Sequence, residues 1–525
     1  MLRHLRTSRP AGPAVVKRLS GLGVVALILL SGGCDFRFGS SARYLPAPER
    51  PDPSDPPSRV ARLSYLEAPV SLLPAGAADW SAAVLNRPVT TGDELWVDGG
   101  ARAELQLGFA VLRLDALTSF GFEALDDRIV QAKLTQGVLV VRLRRLDLGG
   151  LFEIDTPNSS ITFSRAGEYR IDVHPESHGT EVIVRDGEAE VTSPTRAFRL
   201  EAGQQASLRG TGRLKHHTGE APRPDTFEQF CQMRDRSLDR SESARYVAPD
   251  VAGYDDLDDG GIWLTDSTWG AYWTPRHVPP GWAPYRFGHW EWIEPWGWTW
   301  IDDAPWGFAP FHYGRWIHMQ AGWGWIPGPP QVRPVYAPAL VVFAGDGRSG
   351  SYLSSRAGSA CVAWFPLGPG EVYVPAYHCS RRYLTNINVG NTVIERPVAI
   401  DQVDVARQNY ANRSADAFTA VPREVFVKAR PVGRSAIAVP ARDAASAQVT
   451  GAAPPLAPTR ESLSATPAAG LRVPKPPASA ARETIQRVPP PPPPLKFEQK
   501  QPALEAQPGR PLDRETLERL RRNPD

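Results

Sequence analysis

The sequence predicts a mainly β protein built from two consecutive β modules, and three observations carry that prediction. Residues 61–210 alternate apolar and polar side chains in short runs, with turn residues at roughly 8–12-residue spacing. Tryptophans recur at strand spacing between Trp263 and Trp364. No long segment keeps a helical period. The 525 residues exceed what one hydrophobic core organises and fit two or three domains with linkers. Charge is balanced, 59 Lys+Arg against 57 Asp+Glu, and no sizeable folded segment is strongly basic. Nucleic acid is therefore not an expected partner.

Residues 1–34 read as a targeting segment. Arg3, Arg6, Arg9, Lys17 and Arg18 precede an apolar run from Gly21 to Leu30, and Ser31-Gly32-Gly33 are small residues suited to a peptidase. That run is too short to span a bilayer as a helix, which needs about 20 residues. Leu30-Ser31-Gly32-Gly33-Cys34 resembles a bacterial lipobox. The resemblance implies a lipid on Cys34 and a membrane-anchored lipoprotein of the periplasm or cell envelope. Ser31 departs from the pattern, which prefers an aliphatic residue there. A plain secretory signal and an uncleaved anchor are the alternatives. Asp35 resembles an inner-membrane retention signal, and the choice of membrane stays open. Residues 35–60 form a linker that Pro46, Pro48, Pro51, Pro53, Pro56 and Pro57 hold extended.

An exported chain can form disulfides. Cys361 and Cys379, 18 residues apart, are the candidate pair; closing such a loop contributes about 3 kcal/mol. Cys231 has no evident partner and is expected as a buried thiol. The cysteine spacing suits no zinc motif.

Within 61–210, Ala103, Leu105 and Leu107 alternate with polar neighbours, as do Tyr169, Ile171 and Val173. Asp186-Gly187, between two alternating runs, fits a type I′ hairpin turn. The pattern indicates a sandwich, barrel or short solenoid. Leu85-Asn86-Arg87-Pro88, Thr91-Gly92-Asp93-Glu94-Leu95, Arg102 to Gly108, Asp155-Thr156-Pro157, Gly167-Glu168-Tyr169-Arg170, Thr180-Glu181-Val182, Asp186-Gly187 and Gly203-Gln204-Gln205 resemble a FecR domain. That resemblance implies a periplasmic sensing module, a sandwich or short solenoid. The stretch before Gly21 is too short for the cytoplasmic segment that regulates a sigma factor in full FecR proteins. A FecR-derived periplasmic sensor without that segment is thus one functional alternative.

A short helix is expected from about Thr226 to Ser237, capped by Asp225, with Phe227, Phe230 and Met233 on one face. The second module, 225–395, then holds 14 of the 16 tryptophans between Trp263 and Trp364. Gly261-Ile262-Trp263, Gly288-His289-Trp290 and Gly314-Arg315-Trp316 recur at offsets of 27 and 26 residues. Each is followed by a second tryptophan strand, giving three hairpins near 261–275, 281–301 and 307–328. Trp296, Trp298 and Trp300 are two apart and share one side of a strand. A lone hairpin cannot bury such a face, so the copies are expected to stack into a continuous core. The alternative is an aromatic platform for a ligand, for which Trp290, Trp292, Trp296, Trp298, Trp300 and Trp316 are the candidates.

Several long motifs of this module resemble a family of proline-rich exported proteins of unknown function that carry it behind a FecR domain. They include Gly253-Tyr254-Asp255-Asp256, Gly281-Trp282-Ala283-Pro284-Tyr285-Arg286, Pro295 to Trp300, Pro305 to Trp316 and Trp364-Phe365-Pro366-Leu367-Gly368-Pro369. No activity comes with that resemblance.

Val341-Val342-Phe343, Cys361 to Phe365 and Glu371 to Val374 are expected strands, and 396–440 an extended connector. Residues 441–525 are Pro/Ala-rich and read as a disordered tail, with polyproline II at Pro489–Pro494 and a short helix near Asp513–Arg522. The 53 prolines are about twice the usual share of ~5%.

Catalytic signatures are missing. There is no P-loop and no His-Glu-x-x-His, and Gly347-Arg348-Ser349-Gly350-Ser351 lacks the glycine of a nucleophile elbow. Asp255-Asp256 with Asp258-Asp259, and Asp302-Asp303, lack EF-hand spacing. His289, His312 and His318 occupy non-equivalent repeat positions, so neither a repeated metal site nor a cofactor is expected. Glu291, Glu294, Asp302 and Asp303 leave a glycan hydrolase as the remote enzymatic alternative. The leading expectation is a non-enzymatic envelope protein that binds or scaffolds a partner protein, peptidoglycan or another glycan.

Overall fold

The longest strand, Ile129–Leu143, organises the first module because it serves two sheets at once. The computed structural model describes residues 52–210, 215–320, 322–345, 361–394, 397–465 and 473–523. Cys34, the targeting segment and most of the 35–60 linker lie outside them. The first half of Ile129–Leu143 pairs with Thr118–Leu125 and, in parallel, with Leu151–Asp155. Its second half pairs with Ala110–Leu114 and Gly167–His174. Gly137, at φ +92°, stands at the crossover, where a Cβ would sit 2.5 Å from Thr118 Cα. Only glycine fits there. The two sheets close on Leu63, Leu105, Leu112, Phe120, Leu134, Phe152, Ile171 and Val191, all buried.

Asp186-Gly187 is a corner between the sheets and not a hairpin turn. Gly179–Asp186 pairs with Gly167–His174, and Glu188–Ser193 pairs with Ser160–Phe163. Only Gly187 has positive φ, and its missing side chain makes room for the Tyr169 hydroxyl. Helix Thr226–Asp239 follows, and its cap is as expected: the Asp225 carboxylate accepts from the Glu228 N–H at 2.9 Å. Phe227 is buried but Met233 is exposed, so the helix rests on one edge of its predicted apolar face.

All three tryptophan hairpins form: Gly261–Asp266 with Gly270–Pro275, Gly288–Ile293 with Gly297–Asp302, and Arg315–Met319 with Gly322–Ile326. Trp263↔Trp273, Trp290↔Trp300 and Trp316↔Trp325 are the equivalent cross-strand pairs. The copies do not stack in sequence. Copies one and three share a four-stranded sheet through Trp273↔Trp325, and copy two stands apart as a two-stranded sheet. A further four-stranded sheet, of Val341–Gly345, Cys361–Pro366, Thr419–Pro422 and Gln448–Gly451, packs against copy two. Glu371–Val374 is not a strand; the Glu371 carboxylate instead accepts from the Gly368 and Ala411 N–H groups. The Cys361–Cys379 bridge is not formed. Cys361 opens a buried strand that pairs with Thr419–Pro422, and Cys379 precedes helix Arg381–Val389.

The tail corrects a composition-based expectation. Within its described part, Gln448–Gly451 adds a strand to the sheet of Val341–Gly345. The Leu456 carbonyl accepts from Trp298 Nε1 at 3.1 Å, and Phe497 and Leu504 are buried. Pro494 and Leu495 lie where Cβ atoms on Gly92 and Gly76 would be, so two positive-φ glycines admit the tail. Few apolar residues suffice because each enters a site that the two modules already supply. The closing helix is Arg514–Arg522, capped by Asp513.

The modules are joined by buried polar groups of the Asn86-Arg87-Pro88 segment. Arg87 Nε donates to Glu291 Oε2 at 2.9 Å and its Nη1 to Asp93 Oδ2 at 3.1 Å. Asn86 Nδ2 donates to the carbonyls of Asp302 and Ala304. Arg62 reaches the Pro305 carbonyl and pairs with Asp256. Nearby, burial pulls the Glu104 carboxyl upward, but Arg234 and Arg113 overcome this and hold it at about 2. Removing one partner of a buried pair costs about 3–5 kcal/mol, whereas replacing both with apolar residues is often close to neutral. Arg87→Met should therefore lower the unfolding free energy of the full chain by about 3–5 kcal/mol. Arg87→Met with Glu291→Leu should recover only the share owed to Glu291 in a urea-unfolding double-mutant cycle, because Asp93 still lacks its guanidinium.

Candidate functional site

The six candidate platform tryptophans all lie in the core. Trp290, Trp292, Trp296, Trp298, Trp300 and Trp316 are each 3% exposed or less. Trp290 meets Trp300, Phe343, Trp364 and Phe426 at ring distances of 5.2–5.5 Å. Several indole N–H groups are satisfied internally: Trp300 by Asp302, Trp316 by the Pro310 carbonyl, Trp325 by Tyr313 and Trp364 by Tyr285. An indole enclosed on both faces cannot stack on a ligand, so the platform expectation fails for these residues.

The carboxylates considered for glycan hydrolysis do not converge on one groove. Burial raises the Glu291 carboxyl, but Arg87 and His289 hold it below its ordinary value. Ala465 N–H also donates to it, at 2.7 Å. Glu294 pairs with Lys500 at 2.8 Å. Asp302 is buried and pushed well above the carboxylate range despite bonds from Ala304 N–H and Trp300 Nε1. Burial also raises Asp303, against the pull of His289 and Arg434. His312 is enclosed beside Phe308 and Tyr336, and burial holds it at about 3, so it stays neutral. Asp172, His174 and Glu181 offer ligand atoms within 4.8 Å of one another on adjacent strands. Arg170 already grips Asp172 through two bonds of 2.8 and 2.9 Å.

One tryptophan outside the strands, Trp282, is only partly buried and opens on a surface cleft. Trp282 and Trp323 flank a cleft of about 410 Å³ together with Thr274, Pro275, Val278, His318, Arg286 and Asp416. That volume falls in the range of small-ligand sites, which span about 300–1,000 Å³. The motif Val278-Pro279-Pro280-Gly281 makes the turn that presents Trp282, whose N–H closes on the Pro279 carbonyl at 3.1 Å. The inner edge of Trp282 rests on Trp306 and Trp316 in T-shaped contacts of 5.9 and 5.6 Å. The opposite wall is Trp323, against which His318 stands edge-on at 5.3 Å. Thr274 Oγ1 donates to the Trp323 carbonyl at 3.0 Å and ties the two walls together. Arg286 braces the floor by donating to the carbonyls of Gly281, Asp416 and Phe418 and to Thr419 Oγ1. Burial lowers its pKa from the usual guanidinium value, and Asp416 acts in the opposite sense. His318, Asp416 and Val278 are exposed. Sequence reasoning missed this cleft because Trp282 belongs to the segment between hairpins, where strand alternation gives no facing.

A larger cleft, about 1220 Å³, lies among Pro53–Pro57, His378, Pro491, Pro492 and helix Arg514–Arg522. Several of its polar groups are already committed: Asp55 accepts from Ser380, Asp513 caps its helix and Glu518 pairs with Arg514. The smaller aromatic cleft is the better ligand site on those grounds.

Comparison with known proteins places the family model of a family of unknown function, DUF6600, on residues 254–371. Two crystal structures of a provisionally assigned anti-sigma factor from Parabacteroides distasonis are also similar. One is 20% identical with a TM-score of 0.22, over 24% of this chain and 59% of that one. The other is 18% identical with a TM-score of 0.23, over 27% and 64%. This chain thus spans about three fifths of those proteins. No curated protein matches. No helix among the described residues is long and apolar enough to cross a membrane.

If Trp290 is core, Trp290→Ala should lower the unfolding free energy by about 3–5 kcal/mol. His318→Ala, at an exposed cleft position, should change it by less than about 0.5 kcal/mol. Urea unfolding of the two full-length variants checks the contrast.

Proposed function

We propose that this chain is a non-enzymatic binding and scaffold protein of the bacterial cell envelope, and that the Trp282–Trp323 cleft is where it meets an envelope polymer. The carrying observation is the contrast between the two classes of tryptophan. The six strand-spaced candidates are enclosed, whereas Trp282 is partly exposed on a braced turn at the rim of an open cleft that strand residue Trp323 also lines. Indole and imidazole rings offer apolar faces to the C–H side of a sugar, and His318 and Asp416 offer polar edges to its hydroxyls. Support for the envelope comes from residues 1–34, whose charge and hydropathy pattern is that of an export signal with a candidate lipid site at Cys34.

Solubilised peptidoglycan fragments titrated into the full-length protein, followed by tryptophan fluorescence and calorimetry, test the reading. Saturable binding is expected, weakened at least about tenfold by Trp282→Ala and by His318→Ala. Absence of saturable binding, or binding that neither substitution affects, rejects the cleft as a polymer site.

A further inference from the structure

The outer face of one sheet in the first module is polar, yet most of it is buried. Gln131, Glu153, Thr162 and Glu190 stand side by side across four strands in register. Asp155 and Ser160 form the next row. Side chains facing away from the core of a sandwich normally meet water. Here Gln131, Glu153, Asp155 and Ser160 are buried.

The cover is the chain's own tail. Ile485 N–H donates to the Thr156 carbonyl at 2.8 Å. Arg487 and Val488 N–H both donate to Glu153 Oε1 at 3.2 Å, and Gln131 Nε2 returns a bond to the Val488 carbonyl at 2.7 Å. Gln486 reaches Glu123, and Arg487 pairs with Glu190 at 3.0 Å. Arg482 donates to the Thr135 carbonyl. The polyproline run then leads the chain to Gly92 and Gly76. The face reads an extended backbone through a carboxylate and a carboxamide, and reads one cationic side chain through a second carboxylate. Side-chain identity matters little except at Arg487 and in the prolines that keep the segment extended. That is how a peptide-binding face works.

We propose that this acidic sheet face is a peptide-binding surface that residues 485–488 occupy in cis, and that its partner in trans is an extended protein segment bearing an arginine ahead of a proline run. The contacts are polar and partly exposed at Arg487, so the tail is held chiefly because it is tethered. A tethered occupant raises the apparent dissociation constant of any competitor to the intrinsic constant divided by the fraction of time the face is open. Protonation acts in the same sense. Burial under the tail, with Glu153 and Glu123 beside it, pushes the Asp155 carboxyl to about 8, against bonds from Ser160 and Gln131. Burial also raises Glu123, against Lys133. The covered state therefore binds protons that the open state releases, so covering weakens as pH rises from about 4 to about 8.

The test uses the full-length protein and a fluorescein-labelled synthetic peptide of residues 480–495, read by anisotropy. Wild type should bind the peptide weakly because its face is occupied. A tail variant, Gln486→Ala with Arg487→Glu, should bind it at least tenfold more tightly. Adding Glu153→Gln should remove at least tenfold of that gain, and binding should be tighter at pH 6 than at pH 8. Hydrogen exchange within Leu151–Asp155 and Ser160–Phe163 reports the fold of the same variants. Peptide binding no tighter in the tail variant than in wild type overturns the proposal. Loss of exchange protection in those strands on tail substitution also overturns it, because the segment is then part of the core. Neither result depends on the aromatic cleft of the second module.

Discussion

A guanidinium buried between two modules governs this structure. Arg87 belongs to the first module and is clasped by Asp93 of that module and Glu291 of the second. A charge so placed is costly unless every donor is engaged, and each module alone would expose or orphan part of the set. Arg87, Glu291, His289 and the Ala465 N–H form one chain of contacts that reaches from the first module through the central hairpin to the tail. The relative placement of the modules follows from satisfying that chain. It also explains why Glu291, on a tryptophan strand, is a structural anchor and not a groove residue.

Much of this fold is legible in the sequence. The three hairpins, their tryptophan register, the Asp225 cap and the closing helix follow from local spacing, because turns, caps and alternation are local properties. The identity of each neighbour does not follow. Copies one and three pair and copy two stands apart, which no 26- or 27-residue offset encodes. Asp186-Gly187 has the composition of a hairpin turn, yet the chain leaves its sheet there. The tail is the largest departure: its composition is that of a spacer, and its order comes from acceptors more than 300 residues away, such as Glu153.

The candidate sites were less legible than the fold. Strand-spaced indoles draw attention by periodicity, but periodicity is the signature of a core face. Trp282 lies outside the repeat of strands and is held at the surface by the Pro279 turn and the Arg286 brace. Likewise Glu153 and Asp155 look like ordinary outward residues of an alternating strand. Their burial is visible only once the tail is seen to lie across them. The two proposed surfaces sit on separate modules of a body joined by buried charge.

The central claim is that buried polar contacts make the two modules one cooperative unit. Differential scanning calorimetry of the full-length protein tests it most directly. The account predicts a single transition whose calorimetric and van't Hoff enthalpies agree. Two resolved transitions, or a calorimetric enthalpy about twice the van't Hoff value, would contradict it.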